Sequence, residues 1–348
     1  ECVNASGRAG AGADPARLRA DGHGTMPLHG DIRSVPVPGC VDGWLALHER
    51  FGRAPLAAVL APARRYAEGG FPASPTLAAA VPAIRDLAGA GDYRAPGAVR
   101  PGTLIRRPGV ARALTAIVEH GRAGFYGGEF GDGLLAVGAG EFAPADLAAP
   151  LADWVEPLGL GAFGRTLWTV PPNSQGYLTL AAAAIADGLA LPPPDDPGWA
   201  HLLVEAARQA GFDRPAVLHE HPDGEALLAP DRLAARRAAI DPQRAARLGD
   251  RYGGGGTIYL CAVDGDRMGV SLIQSNASGW GAHIVEPATG IFLHSRGLGF
   301  SLVPGHPAEY EPGRRPPHTL SPALTTHPDG TLDMVIGSMG GDSQPQIL

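Results

Sequence analysis

Lysine is absent from this sequence, although 28 basic residues occur among its 348 positions, so every one of them is arginine. This absence excludes a Schiff-base lysine, a phosphate-loop lysine and a serine–lysine catalytic pair. Acidic residues outnumber the arginines, and the formal net charge is −7. Because no basic stripe runs along the chain, we expect no nucleic-acid partner.

Cysteine is also scarce, and Cys2, Cys40 and Cys261 form an odd set without metal-ligand or disulfide spacing. They favour a reducing, cytoplasmic compartment or are inert buried thiols, and a periplasmic or secreted location stays open because the chain begins at Glu1 rather than Met. No apolar run approaches the roughly 18 residues of a membrane span, so we expect no membrane partner. His219-Glu220-His221 lacks the i, i+4 histidine spacing of zinc proteases, and we expect no metal and no cofactor.

Glycine and proline are abundant instead, with 50 and 34 residues, and they indicate many turns in a globular chain of about two domains. Apolar periodicity predicts helices before residue 256, over Val41–His48, Leu56–Ala67, Thr76–Leu87, Arg107–His120, Asp146–Val155, Tyr177–Leu191, Ala200–Ala210 and Pro230–Ala239. Beyond it, the pattern predicts hairpins of Thr257–Asp264 with Met268–Gln274 and of Leu324–His327 with Leu332–Ile336, and a further strand over Gly290–Ser295. The nearly continuous apolar character of the first hairpin predicts strands covered on both faces. Together these patterns predict an α+β fold with sheets inside and helices outside.

Four glycines at positions 253–256 precede Thr257, which opens the first predicted strand. If the Gly256–Thr257 bond is cut, Thr257 gains a free α-amine whose reference pKa is about 7.7–8.0. The nucleophilic hydroxyl and its general base would then belong to one residue, as in N-terminal threonine catalysis. Taken alone, a threonine after a glycine loop is more often structural, so the hypothesis needs support from elsewhere in the chain.

Three other places carry candidate site residues. Gly340 and Gly341 follow a strand and can aim two backbone N–H groups at one point, as an oxyanion hole requires, or they form an ordinary glycine turn. Ser275 and Asn276 end the second strand of the first hairpin, where antiparallel pairing would bring them beside Thr257, or they are a polar strand end. The pair His318-Thr319 either lines a pocket or lies in a loop.

Four stretches resemble the γ-glutamyltranspeptidase family of N-terminal nucleophile hydrolases. They are Ser34–Trp44 with His48 and Phe51-Gly52; Pro171–Gly176; Thr257 with Val263-Asp264; and Arg315-Pro316, Leu320–Pro322 and Gly337–Gly341. The stretches cover nearly the whole chain in order. The resemblance is therefore far more specific than any single motif.

The resemblance implies a four-layer αββα sandwich whose precursor cuts itself before the threonine. Residues 1–256 would be a large-subunit portion truncated at its N-terminus, and 257–348 a small-subunit portion truncated at its C-terminus, together forming one domain. By the same resemblance Thr257 is the nucleophile, Gly340 and Gly341 form the oxyanion hole, and Ser275 replaces the threonine that hydrogen-bonds the catalytic one. A homodimer is left open.

The sequence departs from the family where the glutamyl group binds. Ser6 stands in the column of the family's carboxylate-binding arginine, and Arg8 follows two residues later. Arg296 and Gly299 replace the groups that bind the α-amine, where an ammonium would meet a like charge at a cost of several kcal/mol. His318 and Thr319 replace paired serines of the carboxylate site. The departures predict that the catalytic chemistry of the family is retained while the recognition of the glutamyl group is not, as in the acylases and amidohydrolases of the superfamily.

The sequence therefore predicts an amidohydrolase or acyltransferase that acts on a small-molecule amide through an acyl-Thr257 intermediate. Arg296 and Arg8 are expected to bind an anionic acyl group, with Asn276, His318 and Thr319 as further substrate-binding residues. Three alternatives stay open: a true γ-glutamyltransferase or glutathione hydrolase, a C–C bond hydrolase of a biosynthetic pathway, and a scaffold that never matures.

Overall fold

The computed structural model describes residues 1–95, 97–248 and 256–348, so Gly253, Gly254 and Gly255 of the predicted glycine loop lie outside the described residues. The helices are α1 (Pro15–Ala20), α2 (Cys40–Phe51), α3 (Leu56–Gly69), α4 (Pro75–Ala80), α5 (Pro108–Tyr126), α6 (Glu129–Val137), α7 (Pro144–Ala148), α8 (Tyr177–Asp187), α9 (Pro197–Gly211), α10 (Arg214–Val217), α11 (Gly224–Leu227), α12 (Pro230–Ala238) and α13 (Gln344–Ile347). The strands are β1 (Cys2–Asn4), β2 (Phe71–Pro72), β3 (Leu104–Ile105), β4 (Asp153–Val155), β5 (Leu158–Ala162), β6 (Arg165–Thr169), β7 (Gly256–Val263), β8 (Gly269–Ala277), β9 (Val285–Glu286), β10 (Ile291–Phe292), β11 (Ala323–Thr326) and β12 (Leu332–Ile336).

The chain divides into two compact units. The first consists of Glu1–Asn4, Trp154–Ala277 and Pro316–Leu348, and the second of Ala5–Asp153 and Ser278–Arg315. Residues on both sides of position 256 contribute to each unit. The compact units therefore do not coincide with the two portions predicted from the sequence.

The first unit is built on a four-stranded antiparallel sheet in the order β12-β11-β6-β5. Ala323 at the start of β11 pairs with Ile336 on one side and with Thr169 on the other. Apolar side chains of β5 and β6 pack on a core of buried residues from α8, α9 and α12. Helix α8 is alanine-rich and largely buried, as its sequence predicts.

The hairpin of β7 and β8 also belongs to the first unit. Its pairing runs from Val263 opposite Gly269 to Gly256 opposite Ala277, and the register shifts between Gly256 and Ile258. The prediction that both faces of these strands are covered was wrong, since Ile258 and Leu260 are 53% and 50% exposed. An apolar run alone does not show whether a strand is covered on one face or on two.

The second unit contains α1 to α7 and the short strands β2, β3, β9 and β10. Its largest core cluster joins α5 and α6 to residues before α2 and to Ala282 and Leu293. The helix predicted over Thr76–Leu87 is shorter than expected, because α4 ends at Ala80 and a 3₁₀ turn follows over Val81–Ala83. Pro82 lies in that turn, and its missing N–H and fixed φ disfavour a continuous α-helix.

Two other predicted elements are also shorter in the structure than the sequence predicts. The residues predicted as a helix to Val155 form a helix only to Ala148, followed by strand β4. The strand predicted over Gly290–Ser295 is reduced to Ile291–Phe292. Pro150 lies between the end of α7 and the start of β4. Within the described ranges, no helix has the length and apolar character needed to cross a membrane.

Candidate active site

Thr257 lies near the start of β7, opposite an irregularity in β8. Gly256 pairs with Ala277 and Ile258 with Gln274, so Thr257 faces two residues, Ser275 and Asn276. Such a bulge changes the direction of side chains at a strand end. Here the Thr257 hydroxyl donates to Ser275 Oγ at 3.2 Å. The structure therefore brings together two hydroxyls that are 18 residues apart.

Both hydroxyls of this pair are held in place. Thr257 is only 9% exposed, although its neighbours Ile258 and Leu260 face solvent. Ser275 Oγ also accepts a hydrogen bond of 2.9 Å from the backbone N–H of Ala277, which has a φ of 71°. Ser275 thus serves as a fixed acceptor for the Thr257 hydroxyl. Asn276, by contrast, is exposed.

Tyr259 connects the start of β7 with the loop that carries the paired glycines. Because side chains alternate along a strand, Tyr259 lies on the same face as Thr257. Its ring packs over Gly337, where an added Cβ would overlap the ring. Ser271 of β8 donates to the carbonyl of Ile336 at 3.1 Å. The hairpin is thereby fixed to the end of β12 at Ile336, four positions before Gly340.

Gly340 and Gly341 both have backbone angles that favour glycine. Their φ values are 144° and 57°, and a short 3₁₀ helix starts at Gly341. Side chains other than hydrogen would be strained at both positions. In the described part of the chain, neither N–H group donates a hydrogen bond to another protein group. Two donors on adjacent glycines are therefore available for a ligand oxygen.

The glycine loop is anchored by residues whose role the sequence did not indicate. Gln175 is fully buried, and its Nε2 donates to the carbonyls of Gly341 at 3.2 Å and Thr319 at 3.3 Å. Arg214 donates to Gln175 Oε1 and to Asp342 Oδ1, the latter at 2.7 Å. In the sequence, Gln175 is only one position of the Pro171–Gly176 motif. Arg214 was missed, since its carboxylate partner is 128 positions away in the sequence.

His318 and Thr319 lie on the other side of Gln175. The backbone of His318 pairs with the 173–175 loop, where its N–H donates to Asn173 O at 3.0 Å and its carbonyl accepts from Gln175 N at 2.9 Å. The His318 side chain is buried, and its Nδ1 accepts from the N–H of Leu320 at 3.2 Å. These contacts hold the segment that follows Pro316 against the motif loop.

Arg8 and Arg296, the two predicted anion-binding residues, belong to the second unit. Arg8 donates to Gly313 O at 2.9 Å and lies 3.4 Å from Asp153, so a carboxylate of the same unit partly balances its charge. The backbone N–H of Arg296 donates to His294 Nδ1 at 3.2 Å. Burial and the nearby Arg296 charge lower the pKa of His294 to about 3, so its ring is neutral near pH 7. The binding role of both arginines stays a prediction.

No group of three or more histidine, cysteine, aspartate or glutamate side chains suited to a metal ion occurs among residues 1–95, 97–248 and 256–348. The three cysteines are free thiols. The groups described at the site are the hydroxyls of Thr257 and Ser275, the N–H groups of two glycines and the buried amide of Gln175. A hydroxyl nucleophile with an oxyanion hole fits this set of groups.

Comparisons with known proteins show which proteins the chain is similar to. The family model described as gamma-glutamyltranspeptidase matches residues 1–348. The chain is 35% identical over 363 aligned positions to an oxamate amidohydrolase proenzyme of Klebsiella pneumoniae, covering 99% of this chain and 68% of that protein. It is 32% identical to the glutathione hydrolase-like YwrD proenzyme of Bacillus subtilis, covering 99% and 67%. Among solved structures it is similar to the cephalosporin acylase of Bacillus halodurans, with a TM-score of 0.87, 34% identity and coverage of 99% and 67%.

Proposed function

Because the chain belongs to the gamma-glutamyltranspeptidase family and is an enzyme of that family, we propose that it cleaves an amide-type bond through an acyl-Thr257 intermediate. The observation that carries this proposal is the hydrogen bond between the hydroxyls of Thr257 and Ser275. It lies at the start of the hairpin that packs against the end of β12, just before the glycines with two available N–H donors. The mixed helix and sheet fold fits the relatives, and we propose that the complete arrangement is the four-layer αββα sandwich.

The active form is expected to arise by cleavage of the Gly256–Thr257 bond. Thr257 Oγ attacks the Gly256 carbonyl, the peptide nitrogen leaves as an amine, and an ester replaces the amide. That leaving amine is the α-amine of Thr257. Water then hydrolyses the ester, which restores the Thr257 hydroxyl and leaves a carboxylate on Gly256. The proenzyme names of the relatives are consistent with such processing in those proteins.

The released α-amine then serves as the general base for substrate cleavage. It takes the proton of the Thr257 hydroxyl as Oγ attacks the substrate carbonyl. The N–H groups of Gly340 and Gly341 stabilise the negative charge on the carbonyl oxygen. The amine proton passes to the leaving nitrogen, and water or an acceptor amine releases the acyl group.

Intact-mass measurement of the purified protein tests the processing step. We expect two species corresponding to 1–256 and 257–348 in the wild type and in Thr257→Ser, and one uncut chain in Thr257→Ala. Since the segment 257–348 contains no lysine, it gains a primary amine only when its N-terminus is freed. An amine-reactive label on that segment therefore reports the cut independently. An uncut wild type, or a Thr257→Ala chain that still splits, overturns the proposal.

A substrate panel tests the chemistry and the acyl group. Glutaryl p-nitroanilide, γ-glutamyl p-nitroanilide and oxamate represent the substrate classes suggested by the relatives' names and by the sequence. We expect the anionic glutaryl amide or oxamate to react faster than the γ-glutamyl amide, whose α-ammonium the altered sequence disfavours. Preference for the γ-glutamyl amide would instead indicate a true γ-glutamyl enzyme. Absence of turnover with all three would contradict the amidohydrolase assignment.

A further inference from the structure

The turn that carries Gly340 and Gly341 is anchored by hydrogen bonds to Gln175, which in turn is bonded by Arg214. We propose that Arg214 is a positioning residue that fixes these glycines through the buried amide of Gln175. The inference rests on the function proposed above, because it assigns a role to residues behind the oxyanion-binding groups. Neither Arg214 nor Gln175 is expected to touch the substrate.

A glycine pair needs such support. Glycine has more accessible backbone conformations than any other residue, so a turn of two glycines loses the most entropy when it is fixed. An oxyanion hole works only when its donors are oriented before the charge develops. In the described part of the chain, the N–H groups of Gly340 and Gly341 make no protein hydrogen bond that would orient them. Their orientation must therefore come from contacts to other atoms of the turn.

Gln175 supplies the first of these contacts. Its side chain has no exposed surface, so each of its polar atoms needs a partner to offset desolvation. The Nε2 group donates to the Gly341 carbonyl at 3.2 Å and to the Thr319 carbonyl at 3.3 Å. Since the Gly341 carbonyl is fixed, rotation about the Gly341 backbone is restricted. One amide thus links the glycine turn to the segment of His318 and Thr319.

Arg214 determines which way that amide faces. Its guanidinium donates to Gln175 Oε1, which leaves Nε2 directed at the two carbonyls. Without Arg214, a 180° flip of the amide would place Oε1 against the Gly341 carbonyl oxygen, and two acceptors would repel each other. Arg214 also pairs with Asp342 at 2.7 Å, the residue directly after Gly341. The guanidinium therefore fixes the turn at two successive positions.

Arg214→Ala and a matched control, Arg232→Ala, separate positioning from general stability. Arg232 also belongs to the first unit and pairs with Asp213 at 2.8 Å, with side-chain exposures of 26% and 20%. The Arg214–Asp342 pair has nearly the same exposures, 20% and 24%. Each variant is purified as the full chain, its cut fraction is measured by intact mass, and kcat and KM are measured on the fastest amide of the panel.

We expect Arg214→Ala to lower kcat about tenfold to 100-fold with KM within threefold, because displaced donors weaken only the transition state. Binding of a boronate that forms a tetrahedral adduct on the threonine should weaken by the same factor as kcat. Arg232→Ala should leave both kinetic quantities within about twofold of the wild type, and Arg214→Lys should recover part of kcat.

The outcomes distinguish this inference from the proposed function. A cut Arg214→Ala chain with wild-type kcat, or with its loss entirely in KM, overturns the positioning role while leaving Thr257 as nucleophile. If Arg214→Ala does not fold, Asp342→Asn and Arg214→Lys are measured instead, and unchanged kcat in both overturns the role. A wild type that stays uncut and forms no boronate adduct overturns the proposed function and this inference together.

Discussion

Removing the Ser275 hydroxyl is expected to affect catalysis more than folding. In the structure Ser275 Oγ accepts from Thr257 at 3.2 Å and from Ala277 N–H at 2.9 Å. A neutral hydrogen bond of this kind contributes about 1 kcal/mol, and a bond to a charged group about 1.5–3 kcal/mol. As Thr257 Oγ gains negative charge during attack, the Ser275 hydroxyl is expected to rotate and donate to it. The charged hydrogen bond is thus stronger than the neutral one by about 1 kcal/mol or more, and this difference stabilises only the transition state.

We therefore expect Ser275→Ala to lower kcat about five- to tenfold with little change in KM, since 1.4 kcal/mol corresponds to a factor of ten. The unpaired Ala277 N–H should also lower the free energy of unfolding by about 1 kcal/mol. Ser275→Thr keeps the hydroxyl and should retain most of the activity. The assay is steady-state hydrolysis of the fastest panel amide, together with the rate at which the precursor is cut.

Ser271→Ala is the control for stability on the same strand. Its hydroxyl donates to Ile336 O at 3.1 Å, so its loss should cost similar unfolding free energy, while kcat should fall clearly less than in Ser275→Ala because the hydroxyl does not touch Thr257. Equal losses of kcat in the Ser271 and Ser275 variants would show that the effect comes from the strand rather than from the hydroxyl pair. Wild-type kcat and wild-type cutting in Ser275→Ala would refute the reasoning.

Three further predictions concern the backbone and pH. Gly340→Ala should abolish most amide hydrolysis, because alanine is strained at a φ of 144°, and full activity would contradict an oxyanion role. Gly337→Ala should lower the urea-measured free energy of unfolding by about 1–3 kcal/mol, because a Cβ there overlaps Tyr259, whereas Gly265→Ala, with open space around it, should not. Folding lowers the pKa of His294 from 6.5 to about 3, so between these pH values the unfolded chain binds a proton that the folded chain does not bind. The free energy of unfolding should therefore be highest above pH 6.5 and should decline towards pH 3 by up to about 1.4 kcal/mol per pH unit. Urea titrations from pH 4 to 7 should show this slope, and His294→Gln should reduce it.

The hairpin of β7 and β8 could be predicted from the sequence because its signals are local. Two apolar runs flank a three-residue turn at 265–267, and antiparallel pairing then brings Ser275 near Thr257. The register shift that sets two residues opposite Thr257 was not predictable. It depends on how the strand ends pack, which no short pattern encodes. The exposure of Ile258 was missed for the same reason.

The anchoring of the glycine turn could not be predicted from residue patterns. Arg214 is the first residue of the short helix α10 and precedes a proline, and nothing nearby in the sequence distinguishes it from the other arginines. Its partners Gln175 and Asp342 lie 39 and 128 positions away. Contacts of this separation are set by the tertiary fold. The glycines themselves were found because paired glycines after a strand are a local signal.

The sheet of the first unit has a consequence for the separated polypeptides. Strand β11, from the 257–348 side, pairs along its full length with β6, from the 1–256 side, so Thr326 faces Thr166 and Ala323 faces Thr169. Backbone hydrogen bonds and a shared core would therefore keep both pieces associated after the peptide bond is broken. Denaturing electrophoresis should resolve two bands from material that elutes as one peak in gel filtration, and dissociation should require the denaturant concentration that melts the sheet itself.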